Sequence, residues 1–278
     1  METRTWRALS VPLLLALSMS GCYLDQRYVY FPTPWQEGDW GRQWNLPIED
    51  VSFQASDGVA LHGWMVQAPN SPAVVLWAHG NAGNMLHRLD YLSKLHQQGV
   101  TAFLFDYRGY GRSEGQPSEK GLYDDAEAAY DVLAQRYHVP PQRLILFGQS
   151  LGTAMIGELA LRRRAAGVIL ETPFPSVEAM AHQHYGSFPL HLLLQARYRL
   201  IDRVPKIRVP ILVLHGDQDQ LIPIVLGRQV FDAANEPKTW YMIPGAEHND
   251  TYVVGGNPYF DCMLTFIRQA VASAGTTT

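Results

Sequence analysis

From residue 51 onward the chain alternates short apolar runs with stretches of helical period. Residues 51–55 and 59–66 alternate apolar and polar positions around Ser56-Asp57-Gly58, which predicts a hairpin and an antiparallel sheet edge. The runs 73–78, 100–105, 143–147, 167–170, 211–214 and 238–243 read as further strands. Helical period fills the gaps at 85–98, at 119–136 with Ser118 as a cap, after Ser150, at 224–234 and at 258–272. Repeated units of this kind predict an α/β domain with a mostly parallel sheet covered by helices on both faces. One segment, 172–209, interrupts the rhythm. It has no strand signal but carries Phe174, Tyr185, Phe188, Tyr198 and the run Leu190-His191-Leu192-Leu193-Leu194. It predicts a small helical lid whose inner face adds an apolar pocket, or else an excursion that packs onto the body. The leucines cannot all share one helical face, but Leu190 with Leu193 or Leu194 can.

Candidate chemistry gathers where the strands end. Gly148-Gln149-Ser150-Leu151-Gly152 lies between a strand pattern and a helix pattern, an arrangement that presents a nucleophilic serine on a sharp turn. Its two glycines remove side chains that would collide with the neighbouring strand and helix. Alone, so short a motif also fits an ordinary strand-to-helix turn. Three other runs add to it. Residues 73–78 end in His79-Gly80-Asn81-Ala82-Gly83-Asn84, a loop suited to supplying an oxyanion donor. Residues 211–214 end in His215-Gly216-Asp217-Gln218-Asp219, and 238–243 in Pro244-Gly245-Ala246-Glu247-His248. Serine, acid and histidine thus follow strands in the order used by α/β hydrolases. Asp217 and Asp219 are both placed to orient the histidine, and Glu171 is a third carboxylate at a strand end.

These segments, with Asp106-Tyr107-Arg108-Gly109-Tyr110-Gly111-Arg112-Ser113-Glu114-Gly115 and Glu171-Thr172-Pro173-Phe174, resemble the α/β-hydrolase superfamily from about residue 51 onward. They are most similar to its small-lid branch, which includes bacterial lipoprotein hydrolases and eukaryotic membrane-associated protein depalmitoylases. The resemblance implies a mostly parallel central sheet flanked by helices, with the insertion after the sixth strand as a lid over the nucleophile. It implies Ser150 as nucleophile, His248 as base and, by the pattern His-Gly-x-x-Asp, Asp219 as the acid that orients His248. Asp217 would then shape its loop and Glu171 would help to position the lid. The backbone N–H groups of Leu151 and Asn81 would meet the oxyanion. The chemistry implied is hydrolysis of a carboxylic ester or thioester through an acyl-enzyme, without cofactor. A peptidase, or a catalytically idle protein that binds a lipid or an envelope partner, is the alternative on the same scaffold. His79 and His215 read as loop braces, and 106–114 as a turn held by an internal ion pair.

Composition narrows the partners. Charged residues make up 17% of the 278 and the net charge is −4, so no basic surplus is available for nucleic-acid phosphates. Neither Cys-x-x-Cys nor a metalloprotease histidine motif occurs; His182 and His184 read as loop residues, and no metal site is expected. At the N-terminus, Arg4 and Arg7 precede an apolar stretch at 8–17 and then Ser18-Met19-Ser20-Gly21-Cys22. This reads as a signal peptide over 1–21, too short to span a membrane, and predicts export. Small residues before a cysteine resemble the bacterial lipobox, which implies lipidation of Cys22 and a membrane anchor in the cell envelope; Met19 departs from the usual leucine. Ordinary cleavage after Ser20 and a Cys22–Cys262 disulfide is the alternative. Residues 22–50 read as a proline-bearing tether whose Phe31, Trp35, Trp40 and Trp44 are better packed on the domain at 51–278 than left in water.

Overall fold

The structure, a computed structural model, describes residues 23–186 and 190–276, with Leu190 described by its backbone alone. The leader and Cys22 lie outside the described residues. One sheet is built from β1 (Ile48–Gln54), β2 (Ala60–Val66), β3 (Val74–Ala78), β4 (Thr101–Asp106), β5 (Leu144–Gln149), β6 (Gly167–Glu171), β7 (Ile211–Gly216) and β8 (Lys238–Ile243). Their spatial order is β8-β7-β6-β5-β3-β4-β2-β1. β1 and β2 form the expected hairpin, with Ile48 opposite Val66, and β2 runs antiparallel to β4; every other pairing in this sheet is parallel. The α-helices that follow β3 are α1 (Leu89–Gln97), α2 (Glu119–Asp131), α3 (Leu151–Arg162), α4 (Val177–Tyr185), α5 (Leu190–Leu193), α6 (Ile224–Ala233) and α7 (Thr251–Gly275).

The inner strands β3 to β7 are buried on both faces because each face has its own core. Successive residues of a strand point to opposite sides. Leu76 and Ala78 of β3, like Leu144 and Leu146 of β5, join a cluster with Leu122 of α2, Met155 of α3 and Val230 of α6. Val75 and Trp77, like Ile145 and Phe147, join another with Leu92 of α1 and Phe260 and Ile267 of α7. β3 therefore lies between β5 and β4 with helices on either side. Loops leaving the carboxyl ends of β3 and β5 diverge there, and such a switch point opens a crevice.

Several boundaries differ from the sequence pattern for local reasons. The helix expected over 85–98 begins as a 3-10 turn, Met85–Arg88, held by an Asn84 capping box, before α1 proper. The helix expected over 119–136 gives way after Asp131 to a π turn at Val132–Arg136. α7 begins before Pro258; a kink at Gly256, φ 52°, starts a fresh helical segment in which Pro258 falls in the first turn, where a missing N–H costs nothing. The loop over 106–114 is not closed by its own ion pair. Arg108 instead reaches Asp125 on α2 at 2.7 Å and Asp57 of the hairpin at 2.7 Å.

The segment read as a tether is closely applied to the domain, and β1 already begins within it. Residues 23–28 are helical, and Phe31–Pro32 pairs in parallel with Ala82–Gly83. Trp35 rests on Trp64 at 5.5 Å under the Arg112 guanidinium, whereas Phe31 and Trp44 stay 46% and 38% exposed. Among the described residues no helix is long and apolar enough to cross a membrane.

Candidate active site

Ser150 occupies the turn between β5 and α3 with φ 52° and ψ −117°, a backbone conformation that residues with a Cβ rarely adopt. The turn can be this tight because both flanking positions lack side chains. A Cβ on Gly148 would lie 2.5 Å from Gly152 O, and one on Gly152 would overlap Ala78 O at the end of β3. The Ser150 N–H donates to Glu171 O at 2.9 Å, which ties the elbow to β6.

His248 and Asp219 arrive from the ends of β8 and β7. His248 Nε2 is 3.1 Å from Ser150 Oγ, and His248 Nδ1 is 2.7 Å from Asp219 Oδ2. An ionised carboxylate only accepts, so Nδ1 carries the proton and Nε2 is left as the acceptor that faces the serine hydroxyl. The other oxygen of Asp219 accepts from the N–H groups of Leu221 at 2.9 Å and Ile222 at 2.8 Å. His215 Nε2 donates to Ile222 O at 2.8 Å, and burial holds its pKa below the usual value. It braces the loop that carries Asp219, as its sequence position suggests. Asp217 does not approach His248; it accepts from Gly245 N–H at 2.7 Å and shapes the loop.

Glu171 departs from expectation. It is fully buried, accepts from Thr251 Oγ1 and Tyr259 OH at the root of α7, and holds nothing on the lid. Burial pushes its carboxyl up.

Above the elbow, Gly80 lies close enough to the nucleophile that a Cβ there would sit 3.5 Å from Ser150 Cβ. His79 Nδ1 is 2.7 Å from Gly80 O and fixes the peptide between Gly80 and Asn81. In a trans peptide the N–H points away from the C=O, so the Asn81 N–H faces away from the His79 ring. Among the described residues no hydrogen bond takes up that N–H. The Leu151 N–H opens α3 and has no partner within the helix. Asn81, Ser150 and Leu151 all line one cavity of about 460 Å³.

The lid supplies much of the rest of that cavity through Phe174, Val177, Met180, Ala181 and Leu194. Leu194 is 4% exposed, while Leu192 and Leu193 are 69% and 49% exposed; the Leu190 side chain lies outside the described residues. A further part of the lining does not follow from the sequence pattern: Tyr28, Val29 and Phe31 from the N-terminal segment. The clue available in the sequence was the aromatic content of that supposed tether. His182 and His184 stand on α4 rather than in a loop, and Glu178, His182 and His191 bring their ligand atoms within 4.8 Å of one another. Arg199 already faces Glu178 at 3.5 Å, which disfavours a cation there.

A serine on a strained elbow at the switch point of this sheet, facing a carboxylate-held histidine, defines an α/β hydrolase. The chain belongs to the family described as serine aminopeptidase, S33, which it matches over residues 69–194 and 178–251. An uncharacterised protein of Mycobacterium tuberculosis is 35% identical over 97% of this chain and 98% of its own. An α/β-hydrolase domain-containing protein of Arabidopsis thaliana, WAV2, is 34% identical over 81% and 80%. Among solved structures, an esterase of Pyrococcus furiosus superposes with a TM-score of 0.72 at 17% identity, over 88% of this chain and 98% of that one, a likeness of fold.

Proposed function

We propose that the protein is a serine hydrolase that cleaves carboxylic esters or thioesters through an acyl-enzyme. The observation that carries this reading is the unbroken hydrogen-bonded line Ser150–His248–Asp219, opening into an apolar cavity. His248 Nε2 takes the proton as Ser150 Oγ attacks the carbonyl, and Asp219 stabilises the imidazolium. The Asn81 and Leu151 N–H groups receive the oxyanion without reorienting. His248 must return the proton to the leaving group, so the leaving group lies on the side of His248, beside Gln220, Glu247 and Asn249. The acyl group then takes the other side, the 460 Å³ cavity walled by the lid and the N-terminal segment.

That geometry favours an ester over the N-terminal residue of a peptide. The substrate of an aminopeptidase carries an ammonium on its acyl side, and a buried ammonium requires a charged partner. Among the described residues no carboxylate lines this cavity. Fluorophosphonate labelling, together with a panel of esters graded by acyl length, tests the reading: Ser150 becomes labelled and esters are turned over. A serine that stays unlabelled would favour a binding protein that merely retains the fold.

The same reading includes export and a lipid anchor at Cys22, supported by the basic and apolar leader that ends in Ser20-Gly21-Cys22. Cys22→Ser should move the protein from the membrane fraction to the soluble fraction. A wild-type protein that is already soluble, with a Cys22–Cys262 disulfide, would remove the anchor.

A further inference from the structure

We infer that residues 25–33 are a working part of the active site: they hold the Asn81 loop in place on one side, grip the lid on the other, and wall the acyl cavity between. The inference rests on the ester reading for its kinetic consequences only, since the contacts themselves are structural.

Toward the loop, the segment bonds to the backbone that carries the proposed oxyanion donor. Phe31 N–H donates to Asn81 O at 3.1 Å and Thr33 N–H to Gly83 O at 3.2 Å. The Asn81 side chain returns a bond from Nδ2 to Val29 O at 3.0 Å, and Asn84 Nδ2 reaches Thr33 O at 3.2 Å. Asn81 O also accepts from Tyr110 OH at 2.8 Å. The Asn81 carbonyl and its side-chain Nδ2 are thereby committed. The backbone N–H, which takes no partner among the described residues, stays available to a substrate oxygen.

Toward the lid, Asp25 is 5% exposed and spends both carboxylate oxygens on lid backbone: Gln195 N–H at 2.9 Å and Ala196 N–H at 3.0 Å. Burying a carboxylate is costly unless its bonds repay the lost hydration, so these bonds are a specific attachment. Tyr30 OH meets Tyr198 OH at 2.8 Å, both buried, and the Tyr28 ring stands edge-on to Tyr185 at 6.1 Å. Between these two attachments, Tyr28, Val29 and Phe31 line the same cavity as Leu194, Met180 and Val177. The segment precedes residue 69, where the family match begins. Substrate selection is therefore set partly by chain that lies outside the matched region.

Two kinds of variant in the full-length chain separate positioning from packing. Phe31→Pro deletes the ring together with the N–H that holds Asn81 O, and relative to Phe31→Ala should lower kcat a further tenfold or so on short and long esters alike. Phe31→Ala keeps the N–H but removes the ring, and should raise KM for medium-chain esters severalfold more than for acetate esters. Hydrogen exchange supplies a readout independent of activity. Asp25→Ala should speed exchange of the Gln195 and Ala196 amides, and Tyr30→Phe that of residues 195–199, while β5 and β6 remain protected. Unchanged exchange in both variants, or a Phe31→Pro protein with the kcat of Phe31→Ala, would overturn the inference. If exchange responds as expected while the wild-type protein cleaves no ester, the attachment stands and the ester reading falls.

Discussion

Ser150, Asp219 and His248 each follow a strand of the main sheet and are fixed by hydrogen bonds made within a few residues of those strand ends. The cavity beside them is walled by the N-terminal segment, the lid and the loop at Leu221 and Ile222, none of which belongs to that sheet. The serine and the acid thus follow strands, β5 and β7, that are buried on both faces, where a small displacement disturbs a packed core, and the histidine follows the edge strand β8 beside them. The cavity is held by a few side-chain bonds between surface segments. Catalysis and selection are therefore separable here, and variants can be chosen to break one while sparing the other.

The largest effect is expected at the centre. Ser150→Ala and His248→Ala should each lower ester turnover by about 10⁵-fold or more, with the double variant scarcely worse, because the residues act as a unit. Steady-state kinetics on a chromogenic ester measures this, and near-parental activity in Ser150→Ala would end the proposed mechanism. Next comes the pair of acids. Asp219→Asn should cost about 10⁴-fold by holding His248 in the wrong tautomer, whereas Asp217→Asn should cost less than about tenfold. The reverse ranking would contradict the distances. A smaller effect belongs to the cavity: Leu194→Ala should weaken kcat/KM on medium-chain esters by roughly tenfold and on acetate esters far less, at about 0.8 kcal/mol per buried methylene. Equal losses across chain lengths would reduce Leu194 to a residue that packs the lid.

The same division decides what could be read without coordinates. The strands, the elbow and the order of serine, acid and histidine were legible because each is written in contiguous residues: a buried run, then a turn with its glycines. The short insertion over 172–209 was visible as a break in that rhythm. The partners of Arg108 were not, since Asp57 and Asp125 stand 51 and 17 positions away and nothing local marks them. Glu171 was misplaced for the same reason; Thr251 and Tyr259, which bond it, lie 80 and 88 residues on. The wall from Tyr28 to Phe31 was hidden because a proline-bearing stretch before the first strand resembles a spacer. Its pairing with Ala82–Gly83 and its bonds to the lid make it part of the site.

The positive φ at Ser150 means that this protein gives up some thermal robustness to display its hydroxyl. A residue other than glycine held in such a region costs roughly 1–3 kcal/mol. Glycine would be free of that cost but would bring extra disorder to the unfolded chain, worth about 0.5–1 kcal/mol. The first magnitude exceeds the second, so Ser150→Gly should melt a few degrees above the parent while being catalytically dead. A calorimetric scan of the two proteins would detect the gain. Selection for turnover, on this account, has kept at position 150 a residue that selection for heat resistance alone would replace.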